Sequence, residues 1–138
     1  MLLVDTSVWV DFFRGETTKE VRALASSLEG HDDVCTCGIV MTEILQGIRS
    51  EREYRRIKKL LHQLVYLPVR RRTYLVAAGL YRAARSRGVT IRKTIDCIIA
   101  ACAIEHDVAL LHRDTDFDRI AGFSRLKMAG REPRDGAR

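Results

Sequence analysis

Met1-Leu2-Leu3-Val4-Asp5-Thr6-Ser7-Val8-Trp9 opens the chain, and the reading of this stretch decides the fold. Leu2-Leu3-Val4 is a short apolar run of the kind that forms a buried strand. Val8, Trp9, Phe12 and Phe13 then recur at helical spacing, with Thr6 or Ser7 placed to cap that helix and Gly15 to close it. Asp5 stands between the two elements. A carboxylate beside buried elements is disfavoured unless it is paired or binds a cation.

The same anomaly recurs along the chain. Glu43 interrupts Ile39-Val40-Met41 and Ile44-Leu45, and on a helix it lies beside Ile39 and Ile44 on the buried side. Asp96 separates Thr94-Ile95 from the apolar segment Cys97 to Ile104. Asp114 and Asp116 follow Val108-Ala109-Leu110-Leu111. Singly, Asp5 or Asp114 reads equally well as a helix cap, and Asp96 as an acid favoured by the dipole of a first helical turn. Glu43 resists so plain an account, and the set makes sense if the fold gathers these acids around a metal.

The remaining chain supplies alternating elements. Helices are expected over Thr17 to Leu28, Ile39 to Ile48, Glu51 to Leu64, Thr73 to Ser86 and Thr94 to Glu105, with Thr94 as a cap and a short helix beginning near Asp116. Strands are expected at Val34 to Thr36, Val65 to Leu67, Val108 to Leu111 and, at an edge, Leu126 to Met128. Short strands alternating with helices predict an α/β fold, a three-layer α/β/α sandwich around a central parallel sheet. In such sheets ligands gather at the carboxyl ends of the strands, where Asp5 and Asp114 fall. Residues 1–130 are expected to form one domain and 131–138 a flexible tail rich in Gly, Pro and charge.

With 138 residues, 46% hydrophobic and 30% charged, the chain is expected to be globular and to bury a core without staples. The first apolar run is too short for a signal peptide and Cys97 to Ile104 too short to span a bilayer, so a cytoplasmic, membrane-free protein is expected. Cys35, Cys37, Cys97 and Cys102 lack the paired spacing of a zinc site and read as small apolar groups of the core. The net charge is +6, but unevenly spread: Arg49 to Lys93 carries fourteen Lys/Arg against two Asp/Glu, leaving the rest net acidic. These cations are either solvated helix faces or, read as a block beside acids, the means of holding a polyanion such as nucleic acid.

Phosphodiester hydrolysis needs an activated in-line water and neutralisation of charge on the leaving oxygen, and hard divalent ions do both. Magnesium and manganese prefer carboxylate and water oxygens, which suits this Asp/Glu set better than the scattered His31, His62, His106 and His112. Clustered carboxylates repel without metal, so some of their pKa values are expected to rise.

Leu-Val-Asp-Thr-Ser-Val-Trp at 3–9, Met-Thr-Glu-Ile-Leu-Gln-Gly at 41–47, Ile-Asp-Cys-Ile-Ile-Ala-Ala at 95–101 and His-Arg-Asp-Thr-Asp-Phe at 112–117 resemble, in order and spacing, the four signatures of PIN domains, more narrowly those of VapC toxins of type II toxin–antitoxin systems. The resemblance runs from about residue 1 to 128. It implies a Mg²⁺- or Mn²⁺-dependent endoribonuclease acting on structured RNA, a tRNA or rRNA. Carried over, Asp5, Glu43, Asp96 and Asp114 are the catalytic quartet, and Asp5, Asp96, Asp114 and Asp116 the residues near the metal. Asp5 and Asp96 are the first choice as direct ligands, and Glu43 ligates through water or orients the attacking water. Thr6 or Ser7 assists through a hydroxyl. The implied partners are a second copy in a homodimer and a cognate antitoxin, through which promoter DNA is bound.

For RNA phosphates the candidates are Arg92 and Lys93, within about a turn of Asp96, and then Arg70, Arg71 and Arg72. Two other functions compete. An aspartyl phosphotransferase also places Asp at a first strand's end, but it wants a second acid two residues later, where Ser7 stands. A nucleic-acid- or partner-binding module would use the acids for structural metal alone.

Overall fold

β1 (Leu2–Val4) lies in the middle of a five-stranded sheet whose order is β3-β2-β1-β4-β5, every neighbouring pair parallel. The computed structural model describes residues 1–30 and 33–129. In chain order the elements are β1, α1 (Thr6–Phe13), α2 (Lys19–Glu29), β2 (Val34–Thr36), α3 (Gly38–Gln46), α4 (Glu51–His62), β3 (Val65–Tyr66), α5 (Arg71–Ser86), α6 (Thr94–Glu105), β4 (Ala109–Leu111), α7 (Thr115–Ala121) and β5 (Lys127–Met128). The expected α/β sandwich with a central parallel sheet is what forms. The expected tail at 131–138 lies outside the described residues.

Leu3 and Val4 are fully buried, as both faces of a parallel strand must be. β1 to β3 build outward on one side and β4 to β5 on the other, so the strand order reverses between β1 and β4. Val4 pairs with Leu111 there, and the Asp5 amide donates to the Leu111 carbonyl at 2.9 Å. The ends of β1 and β4 are thereby locked side by side at the position where open α/β sheets form their crevice.

α6 is the central helix. Asp96, Cys97 and Ile99 to Ala103 are all buried, the signature of a helix surrounded by protein. It packs against α5, α3, α7 and β4. Its small residues Ala100, Ala101, Cys102 and Ala103 are buried, as are Ala77 and Ala84 on α5, the helix it packs against. On α1, Trp9 is fully buried and its ring stacks on Phe13 at 5.7 Å. α4 keeps Ile57 and Leu61 inside and its charges outside, with the Ser50 side chain accepting the Glu53 amide. Gly15 and Gly88 follow α1 and α5 with φ of 75° and 70°, the left-handed conformation that ends helices at least cost in glycine.

Helix starts depart from expectation in instructive ways. α1 begins at Thr6 with Asp5 in the capping position, and neither Thr6 nor Ser7 caps it, because both hydroxyls are engaged elsewhere. Thr94 is the first residue of α6 rather than its cap, a place taken by Lys93. α5 starts at Arg71, with the Thr73 hydroxyl accepting the Arg70 amide at 3.0 Å. α2 is capped by Thr18, whose side chain accepts the Val21 amide. All four cysteines are free and buried, and burial pushes the Cys97 thiol up to about 11, as expected of packing residues. No helix among the described residues is long and apolar enough to cross a membrane.

Candidate active site

The carboxyl ends of β1 and β4, the first turn of α6 and the middle of α3 meet around a crevice of about 490 Å³. Asp5, Glu43, Asp96 and Asp114 line it, together with Thr6, Ser7, Arg92, Lys93, Arg113 and Thr115. Four acids drawn from four elements thus converge, each for a local reason. Asp5 is carried by the strand end that Leu111 holds. Glu43 projects from α3, whose Val40 and Ile44 are anchored in the core. Asp96 sits in the first turn of α6, and Asp114 occupies the capping position of α7, where its carboxylate accepts the Asp116 amide at 2.9 Å.

The hydroxyls organise this wall. Thr6 Oγ1 donates to Glu43 Oε1 at 2.9 Å, linking α1 to α3, and Ser7 Oγ donates to Asp5 Oδ2 at 2.8 Å. Burial raises the Asp5 pKa, with the Ser7 hydroxyl acting in the opposite direction. Asp96 is more strongly affected. Only 7% of it is exposed, and burial, reinforced by the charges of Asp5 and Asp114, pushes it up to about 7. Its Oδ2 is buried without a hydrogen-bond partner. A buried carboxylate oxygen with no donor, facing other carboxylates, suits a cation. Oxygens of Asp96, Asp114 and Asp116 lie within 4.8 Å of one another, a hard-oxygen set of the kind that holds Mg²⁺ or Mn²⁺.

Asp116 differs from the others. It is fully buried, yet both oxygens are engaged. Arg119 Nη1 donates to Oδ1 at 2.9 Å, while the Arg92 amide at 3.3 Å and Nε at 3.4 Å share Oδ2. It ties α7 to the loop before α6, and it does not line the crevice. Arg70, Arg71 and Arg72 stand at the start of α5 and do not line the crevice, whereas Arg92 and Lys93 do. His112, set between β4 and Asp114, accepts the Asp114 amide on Nδ1 at 2.9 Å and packs its ring at a tilt against Phe117, a supporting position. Arg113, which sequence reasoning passed over, lines the crevice and pairs with Asp11 of α1. Its only signal was its place beside Asp114, because the partner lies 102 residues away. A larger cleft of about 720 Å³, bordered by α2 and β4 and lined by Glu20, Asp33 and Asp118 among others, shares Arg113 and Thr115 with the crevice.

The family model for the PIN domain matches residues 2–123. Ribonuclease VapC11 of Mycobacterium tuberculosis is 40% identical over 133 residues, covering 94% of this chain and 98% of its own. The chain is a PIN domain of the VapC family. Ribonuclease VapC51 of the same organism is 31% identical, covering 88% of this PIN domain and 86% of its own chain. Among solved structures, VapBC2 from Rickettsia felis, bound to a DNA fragment from its promoter, superposes with a TM-score of 0.72 at 16% identity, covering 92% of this chain and 96% of its own. VapBC-1 from nontypeable Haemophilus influenzae gives 0.71 at 20%, covering 92% and 95%. At that identity the two structures speak to the fold, and the fold of this PIN domain is theirs.

Proposed function

We propose that this PIN domain is a divalent-metal-dependent endoribonuclease, the toxin of a type II toxin–antitoxin pair, acting on structured RNA such as tRNA or rRNA. The observation that carries the metal dependence is Asp96: a buried, donorless carboxylate oxygen among acids from separate elements. The named ribonuclease relatives carry the choice of RNA. In this reading Asp5, Asp96, Asp114 and Asp116 would hold Mg²⁺ or Mn²⁺. The bound ion supplies Lewis-acid activation of water and neutralises charge on the leaving oxygen. Glu43, aimed by Thr6, orients the attacking water and accepts its proton. Ser7 fixes the rotation of Asp5. Lys93, with Arg92, receives a flanking phosphate at the rim.

A cognate antitoxin is the proposed partner, since both solved neighbours named above are complexes of the VapBC kind. The larger cleft, which shares Arg113 and Thr115 with the crevice, lies beside the acids and could seat such a segment. Promoter binding would come through the antitoxin, self-association as a homodimer, and the cytoplasm as the place of action.

The test is incubation of antitoxin-free protein with total bacterial RNA in Mg²⁺ or in EDTA, followed by mapping of new ends. Discrete metal-dependent cuts, absent with Asp96→Asn, are expected. Cleavage by Asp96→Asn at the wild-type rate would overturn the assignment. Intact RNA with every metal, alongside retained RNA binding, would favour a binding module instead.

A further inference from the structure

Arg92 lies in the loop before α6 with 67% of its side chain exposed, yet its guanidinium turns inward to the acids. Nη2 stands 3.4 Å from Asp114 Oδ1 and Nε 3.4 Å from Asp116 Oδ2. The guanidinium is not needed to hold those carboxylates in place. Asp116 keeps Arg119 on Oδ1 and the Arg92 backbone amide on Oδ2 whatever the side chain at 92, and Asp114 Oδ1 keeps the Asp116 amide. What the side chain adds is positive charge beside Asp114, one of the three acids whose oxygens cluster within 4.8 Å. A guanidinium and a divalent ion on the same carboxylate repel each other, so binding of the ion weakens the hold on the guanidinium and the reverse.

We propose that Arg92 is an internal counter-ion: it neutralises Asp114 when metal is absent, yields that carboxylate to the metal, and is thereby released to bind an RNA phosphate. The inference rests on the metal-dependent reading above and deepens it, making Arg92 a positioning residue that couples metal binding to substrate binding. Exposure of the side chain makes its removal tolerable to the fold, and Arg92→Lys serves as a second variant that keeps the charge on a shorter, non-forked group.

The experiment is calorimetric titration of antitoxin-free wild type, Arg92→Gln and Arg92→Lys with Mn²⁺, then with a non-cleavable 2′-O-methyl oligoribonucleotide in EDTA and in Mn²⁺. Arg92→Gln is expected to bind Mn²⁺ roughly threefold tighter than wild type, as for loss of one partly exposed ion pair, with Arg92→Lys between. Its oligonucleotide affinity should match wild type in EDTA and fall below it in Mn²⁺. Unchanged or weaker Mn²⁺ binding by Arg92→Gln would show a merely supporting side chain and overturn the proposal. An equal loss of oligonucleotide affinity in both conditions would also overturn it, since Arg92 would then contact phosphate regardless of metal. No Mn²⁺ binding by wild type would instead remove the metal-site reading on which the proposal stands.

Discussion

Asp96 concentrates the chemistry of the crevice in one proton. Its pKa near 7 in the fold stands against 3.8 for an ordinary aspartate. Between those values the folded chain holds a proton that the unfolded chain has lost. The metal-free protein should therefore lose stability as pH rises from about 4 to about 7 and level off above. Asp96→Asn removes that slope, so in EDTA at pH 8 the variant should melt higher than wild type while cleaving nothing; thermal melts at pH 5 and pH 8 check both halves. Metal must expel the same proton, so its affinity should weaken as pH falls below 7. Thr6→Val leaves Glu43 without its donor and should lower cleavage about tenfold, as loss of an outer orienting group does, at a stability cost of about 1 kcal/mol. Single-turnover rates beside denaturant melts separate the two effects. The acids themselves were legible in the sequence, because a carboxylate inside an apolar run is conspicuous wherever it falls. The partners were not. Nothing in Asp-Thr-Ser says that one hydroxyl reaches back to Asp5 and the other across 37 residues to Glu43.

Among the elements, α6 is the part with least freedom to change. Its Ala and Cys residues are fully buried against α5 and the sheet, so enlarging one of them has nowhere to go. Ala101→Leu should cost about 1–3 kcal/mol, seen as a lower denaturant midpoint with an unchanged slope. The apolar run from Cys97 made this helix legible, and hydrophobic spacing likewise gave the other helices and the edge strand β5. Their starts were less legible wherever Thr or Ser suggested a cap, since these side chains bond to whatever donor or acceptor the tertiary fold brings near. Asp116 is a similar case. Its sequence position beside Asp114 suggested a metal neighbour, and its oxygens do cluster with those of Asp96 and Asp114; what the sequence did not disclose is its pairing with Arg119 and Arg92, which docks α7 against the loop before α6.

At the scale of the whole molecule, the sheet sets where the site lies, and on the proposed reading a bound metal would set how firmly it is held. Mn²⁺ or Mg²⁺ at about a hundred times its Kd should add roughly 2.7 kcal/mol, raising Tm by on the order of 10 °C for a domain of this size, and EDTA should reverse the rise. No shift in differential scanning at millimolar metal would count against the site. The parallel fold followed from alternating short strands and helices, but the strand order did not, because pairing between β1 and β4 joins residues more than a hundred positions apart. That pairing also governs when the acids come together. A growing chain that has emerged only as far as α6 already carries Asp5, Glu43 and Asp96, but it has no Leu111 carbonyl to fix the Asp5 backbone and no Asp114 to close the crevice. The four acids are therefore brought together only once β4 and the start of α7 have joined the sheet, and no shorter N-terminal piece can carry the complete crevice.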